Sequence, residues 1–227
     1  MFMEAKYKIG YIDEDIRQVK KYTRRLKDFG FEVIGYDFHQ GMSLEELMCQ
    51  VYESDIDLLM IDYKLNEGNI VAFNGDAVES DFYDKRPLFP HIIFTNKVEQ
   101  AEPFVEDWKI IFDKDEVFSE EDEDEERALR FVTILEKSIE QYKNHIEKKK
   151  DKISILLSKI NSTEFSSVDE NELINLQKEL MNLDKTFVQE IPEKLISYEK
   201  LDKISTLRIE SEKFLDNLIK SKKDSGS

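Results

Sequence analysis

Polar and apolar positions alternate along the first half of the chain in two distinct rhythms. Short apolar runs stand at Tyr7–Ile12, Phe31–Tyr36, Asp57–Ile61, His91–Phe94 and Trp108–Phe112. They are predominantly apolar rather than apolar on every second residue, the pattern of strands covered on both faces. Between them the spacing changes to that of helices. Ile16, Val19, Tyr22 and Leu26 share one helical face up to Gly30, and Leu44, Leu47, Met48 and Val51 share another. Ser43 and Glu46 have the spacing of a capping box at the start of the second helix. A shorter helix is predicted near Asp76–Tyr83, and a weak one interrupted by Pro103. Five strands alternating with helices predict an α/β fold, a doubly wound parallel sheet.

The rhythm changes after Ser119. Residues 120–126 are all acidic, and Val132, Leu135, Ile139, Tyr142, Ile146, Ile153, Leu156 and Ile160 then keep a 3,4 spacing broken only at Lys149. This predicts a helix of roughly 50 Å with a heptad seam. The same spacing restarts at Leu173, Leu176, Leu180, Leu183 and Phe187 after a serine-rich turn. It continues through Leu195, Tyr198, Leu201 and Ile204, with Pro192 either opening a new helix or kinking a continuing one. The expected architecture is an α/β domain at 1–122, an antiparallel coiled-coil helical hairpin at 123–220 and a disordered tail at 221–227.

Composition narrows the functional classes. The 227 residues are 40% hydrophobic and 37% charged, with a net charge of −17. That charge argues against nucleic acid and anionic membrane as partners. The single cysteine, Cys49, rules out an internal disulfide framework, and its apolar helical setting predicts a small core residue. No apolar run approaches the length of a membrane span and no signal peptide is visible, so a cytoplasmic location is expected.

Four polar features fall at the C-terminal ends of predicted strands: Asp13-Glu14 after the first, Asp62 after the third, Thr95 after the fourth and Lys114 after the fifth. Open α/β sheets bind their ligands at that edge. Ile12-Asp13-Glu14-Asp15, Leu59-Met60-Ile61-Asp62, Ile92-Ile93-Phe94-Thr95 and Ile110-Ile111-Phe112-Asp113-Lys114, in this order, resemble the response-regulator receiver domain of two-component phosphorelays over residues 5 to about 125. The resemblance implies a flavodoxin-like sheet of order 2-1-3-4-5 and a phosphoacceptor domain rather than an enzyme. It implies Asp62 as phosphoacceptor, and Mg²⁺ held by Asp13, Glu14, Asp62 and the backbone carbonyl of Lys64. Lys114 would pair with the phosphate, and Thr95 would be the switch hydroxyl. The partners implied are a histidine kinase or phosphotransfer protein, and an output protein bound by the helical region, with a homodimer as the other use of that region.

The chain departs from the family pattern in places. No proline follows Asp62, the nearest matching glycine is the late Gly75, Asp115 follows Lys114, and Ile111 stands where an aromatic residue is usual. Two other readings therefore stand beside the first. One is a receiver-like adaptor that is never phosphorylated. The other is a haloacid-dehalogenase-like phosphatase using Asp13, whose D-x-D shape Asp13-Glu14-Asp15 shares. His145 on the long helix matches no phosphorelay histidine motif and is expected at the surface, and His39 and His91 are isolated.

Overall fold

The computed structural model describes residues 5–118, 124–159 and 166–183. The acidic residues 120–123 and the helical positions expected at Ile160, Phe187, Pro192 and beyond, with the tail, lie outside the described residues. Two units divide the chain, Met1–Glu147 and Lys148–Ser227.

In the first unit, strands β1 (Tyr7–Ile12), β2 (Phe31–Gly35), β3 (Leu58–Ile61), β4 (His91–Thr95) and β5 (Ile111–Asp113) form one sheet in the order β2-β1-β3-β4-β5. All pairings are parallel. This is the flavodoxin-like doubly wound sheet expected from the sequence. Every residue of β3 is buried, as a central strand covered on both faces requires.

Helix α1 (Ile16–Lys27) starts where the Asp15 side chain accepts from the Arg17 N–H. It ends at Lys27, and the turn after it closes at Gly30, whose φ of +84° suits a residue without a Cβ. Helix α2 (Leu44–Glu53) begins with the capping box of Ser43 and Glu46. Its buried residues are Leu47, Met48 and Val51, while Cys49 lies one position off that stripe and is exposed. The expectation of a core cysteine is thus corrected by helical phase. Helices α3 (Gly75–Lys85) and α4 (Val98–Ala101) follow.

The fifth strand is shorter than predicted. Residues Trp108–Ile110 form a 3-10 turn because the Asp107 side chain captures the Lys109 N–H at 3.1 Å, and only Ile111–Asp113 pair with β4. Helix α5 (Lys114–Val117) has four residues, too few to cover a sheet face.

The cover comes from the next helix, α6 (Asp124–Lys159). Its Ala128, Phe131, Val132, Leu135 and Ile139 share one core with Val19, Tyr22 and Leu26 of α1 and with Ile9, Tyr11, Leu58, Met60, Ile92 and Phe94 of the sheet. The opposite face buries Ile12, Leu59, Ile61 and Ile93 against Leu47, Met48, Val51, Val78 and Phe82. The alternate residues of each strand thus go to different layers. Polar contacts tie α6 to the N-terminal side of the sheet. Lys143 Nζ lies 2.7 Å from Asp57 Oδ1, and the Tyr7 hydroxyl donates to Glu140 at 3.1 Å. The first residues of the predicted coiled-coil seam therefore pack on the α/β layer, and the first unit extends to Glu147 rather than to 122.

In the second unit, the end of α6 and helix α7 (Ser167–Leu183) keep the predicted stripe buried at Ile153, Leu156, Leu173, Leu176 and Leu180. An ion pair joins Lys149 to Glu179. With so short a connection between the helices, a pair that far apart in sequence makes them antiparallel.

The core makes a prediction. A chain ending after Asp122 leaves the apolar face over Tyr11, Met60 and Phe94 uncovered, whereas one ending after Glu147 keeps its cover. Circular-dichroism melts should show a cooperative transition for the longer chain and none for the shorter. Equal cooperativity would show that α6 is dispensable.

Candidate functional site

Strand register brings the polar residues together. Ile12 pairs with Ile61, Ile61 with Ile93, and Thr95 with Asp113. The residues that follow, Asp13, Asp62 and Lys114, emerge side by side at one edge of the sheet. The Asp62 N–H donates to the Ile12 carbonyl at 2.8 Å, so the two acidic strand ends are held at one level.

Lys114 is placed by its own neighbour. Asp113 caps α5 by accepting from the Asp115 and Glu116 N–H groups, which sets Lys114 in the first turn. Lys114 is only 5% exposed, and its ammonium lies 2.9 Å from Asp13 Oδ2 and 2.7 Å from Asp62 Oδ1. Burial works against its charge, but the carboxylates of Asp62 and Asp13 more than offset this and hold its pKa above the ordinary lysine value.

The remaining acceptor sites differ among the acids. Asp13 Oδ1 accepts from the Asp15 N–H at 2.9 Å, and Asp62 Oδ2 accepts from the Lys64 N–H at 2.8 Å. Glu14 Oε2 is buried with no hydrogen-bond partner. Burial, with the Asp13 and Asp62 charges adding to it, pushes the Glu14 carboxyl up to about 7. These residues line a cleft of ≈ 160 Å³ with Asp15, Gln18, Lys21, Asn96 and Lys97.

The donor chemistry fits a hard divalent cation such as Mg²⁺. Glu14 presents an unpartnered buried oxygen, and Asp62 and Lys64 line the same cleft. Among the described residues, however, no three Asp, Glu, His or Cys side chains already stand at coordinating geometry. Lys114 instead bridges two of the three carboxylates.

The other candidates separate. Thr95 is fully buried and its hydroxyl accepts from the Lys97 N–H at 3.2 Å, so it stands behind the cleft rather than in its lining. Asp15, at the rim of the cleft, is taken up by Arg17, with contacts of 2.8–3.1 Å from the guanidinium, so the second acid of the D-x-D shape is already paired. Phe112 does not stand in for the aromatic residue missing at Ile111. Strand alternation turns it to the opposite face, where its ring lies 5.3 Å from that of Phe131. His145 is exposed, and His91 packs beside Glu79 with Nε2 3.2 Å from its carboxylate.

The fold adds Tyr11 to the site and gives the late Gly75 a role in it. Tyr11 donates its hydroxyl to Asp13 Oδ2 at 2.6 Å. The signal was its position two residues before Asp13, on the same side of an extended chain. Gly75 closes the long loop after Asp62. Its N–H donates to the Tyr63 carbonyl at 2.8 Å, and a Cβ there would meet the Asp62 carbonyl oxygen at 2.3 Å.

No protein-family model and no curated protein sequence matches the chain. Similar solved structures include the receiver domain of the Francisella response regulator 1452, at 18% identity over 58% of this chain and 97% of that one, with a TM-score of 0.40. The Thermotoga maritima response regulator TrrA, solved with Mg²⁺ and BeF, is similar at 14% identity over 56% and 98%, with a TM-score of 0.39. A yeast Spc42 trimeric coiled coil fused to another structure covers 78% of this chain and 98% of its own at 17% identity, with a TM-score of 0.47. Among the described residues, no helix is long and apolar enough to cross a membrane.

Two predictions come from the site. Gly75→Ala forces a side chain onto the Asp62 backbone and should destabilise the protein by about 1–3 kcal/mol in denaturant melts. The second concerns pH. Glu14 titrates near 4.5 when unfolded and near 7 when folded, so its protonated form favours the fold. That contribution is fully present below 4.5 and is lost as pH rises to about 7, beyond which it is flat. Without divalent cations, the melting temperature of wild type should therefore fall relative to Glu14→Gln across this window. A constant difference between the two proteins would refute it.

Proposed function

We propose that this chain is a signalling protein whose α/β unit accepts a phosphoryl group on Asp62 with Mg²⁺ present, and whose helical region passes the signal through protein–protein contacts. The observation that carries this reading is the buried Lys114 ammonium between Asp13 and Asp62, beside the unpartnered oxygen of Glu14. An ionised carboxylate at a strand end, next to a fixed cation, is a nucleophile poised for phosphoryl transfer.

In the proposed reaction, an Asp62 oxygen attacks the phosphorus of a small or protein-borne phosphodonor. The bond from phosphorus to the donor breaks, the donor leaves with its electron pair, and an acyl phosphate remains on Asp62. Of the expected set Asp13, Glu14, Asp62 and the Lys64 carbonyl, Asp13 stays with Lys114, so Glu14, Asp62 and the Lys64 carbonyl would hold the cation, which would supply positive charge against the phosphoryl oxygens. Lys114 exchanges its contact with Asp62 for one with the new phosphate and keeps Asp13. Thr95 would reach the phosphate only by giving up the Lys97 N–H. The kinase or phosphotransfer protein and the output partner belong to the same reading, as does a cytoplasmic setting.

A second reading has an observation of its own. Lys114 already satisfies both aspartates, so the triad could serve as a structural ion cluster in an adaptor that is never phosphorylated. Incubation with Mg²⁺ and acetyl phosphate, followed by intact-mass measurement, separates the two. The phosphoacceptor reading expects one added phosphoryl group in wild type and none in Asp62→Asn. No gain in wild type, or the same gain in the variant, favours the adaptor.

A further inference from the structure

We propose that Tyr11 is a positioning residue for this site: its phenol hydroxyl fixes Asp13 as the anchor of Lys114, which leaves Glu14 as the carboxylate with an oxygen open to a cation.

The geometry assigns distinct roles to neighbouring acids. Asp13 Oδ2 accepts from the Tyr11 hydroxyl at 2.6 Å and from Lys114 Nζ at 2.9 Å. Its other oxygen accepts from the Asp15 N–H at 2.9 Å. Three donors from three directions hold this carboxylate. Glu14, next in sequence, has the buried oxygen without a partner. A carboxylate already saturated by fixed donors gives them up for a metal only at their expense, whereas an unpartnered buried oxygen gains from one.

Tyr11 is itself rigid. It is fully buried, and its ring lies edge-on to Tyr22 at 5.9 Å and to Phe94 at 6.3 Å. A buried phenol needs a hydrogen-bond partner, and Asp13 is the one it has here. The Lys114 ammonium also sits 5.6 Å from the centre of the Tyr11 ring. One side chain therefore holds the lysine's anion with its hydroxyl and borders the lysine's cation with its π face. Both contacts fix where the ammonium stands relative to Asp62, and orientation at that scale governs transfer rates.

This role rests on the phosphoacceptor reading for its consequence, but the placement of Lys114 can be measured without it. Tyr11→Phe keeps the ring and removes the hydroxyl. Wild type and variant are treated with limiting acetic anhydride, and each lysine is quantified by peptide mass spectrometry. Lys114 should be acetylated on the order of tenfold faster in the variant, with the exposed Lys20 and Lys27 unchanged. In parallel, calorimetric titration with Mg²⁺ should give the variant the affinity of wild type and Glu14→Gln a weaker one. Phosphorylation by acetyl phosphate at saturating Mg²⁺ should slow on the order of tenfold.

Unchanged Lys114 labelling, or a rise shared by all lysines, overturns the positioning role. Loss of Mg²⁺ affinity in Tyr11→Phe as large as in Glu14→Gln also overturns it, because Tyr11 would then be serving the cation ligands. If wild type gains no phosphate at all, the phosphoacceptor reading fails, and the lysine labelling still decides the role of Tyr11.

Discussion

A lysine ammonium buried between two aspartates is the contact on which the rest of the site depends. Two carboxylates at adjacent strand ends repel each other in a poorly solvated place. Lys114, at 2.9 and 2.7 Å, sets a positive charge between them. Taking the three charges out of water has a cost that their mutual attraction offsets only with good geometry. The structure supplies that geometry from several elements: β1 brings Tyr11 and Asp13, β3 brings Asp62, and the capped start of α5 brings Lys114. The strand register is therefore an electrostatic requirement as much as a packing one.

The same sheet needs its other apolar face covered, and this ties the two halves of the sequence together. Helix α5 has only four residues, and α4 has four. The face over Met60 and Phe94 is closed by Phe131, Val132, Leu135 and Ile139 of α6. Rings of Tyr11, Tyr22, Phe94 and Phe131 are in contact in sequence, with centroids 4.9–6.3 Å apart, from the acidic cleft to α6. Phe112 joins this layer through Phe131 rather than lying on the face of Ile111. In this chain the aromatic residue of β5 is part of the packing under α6, and the cleft's aromatic neighbours come from β1, α1 and β4.

Much of this was legible in the residues. Continuous apolar runs specify strands covered twice, the 3,4 spacing specifies helices, and Ser43 with Glu46 marks a helix start, all from local rules that need no partner. The acids and the lysine fall at strand ends in sequence order, so a parallel sheet must bring them to one edge. Local rules could not say which side of α2 Cys49 takes within an apolar stretch, or that Asp107 would draw Lys109 into a turn and shorten β5.

What only the tertiary structure decided is the choice among equivalent partners. A heptad stripe is satisfied by another helix or by a sheet, because burial of apolar area has no preference between them. The open sheet face took the first part of the stripe, and the Lys149–Glu179 pair marks where helix faces helix. Likewise three neighbouring acids have the same chemistry in sequence. Their division into an anchored Asp13, an Asp15 held by Arg17 and an unpartnered Glu14 depends on which donors the fold aims at each. The residues by themselves determined that a charged pocket forms at this edge of the sheet; packing alone decided which carboxylate is occupied and which is left open.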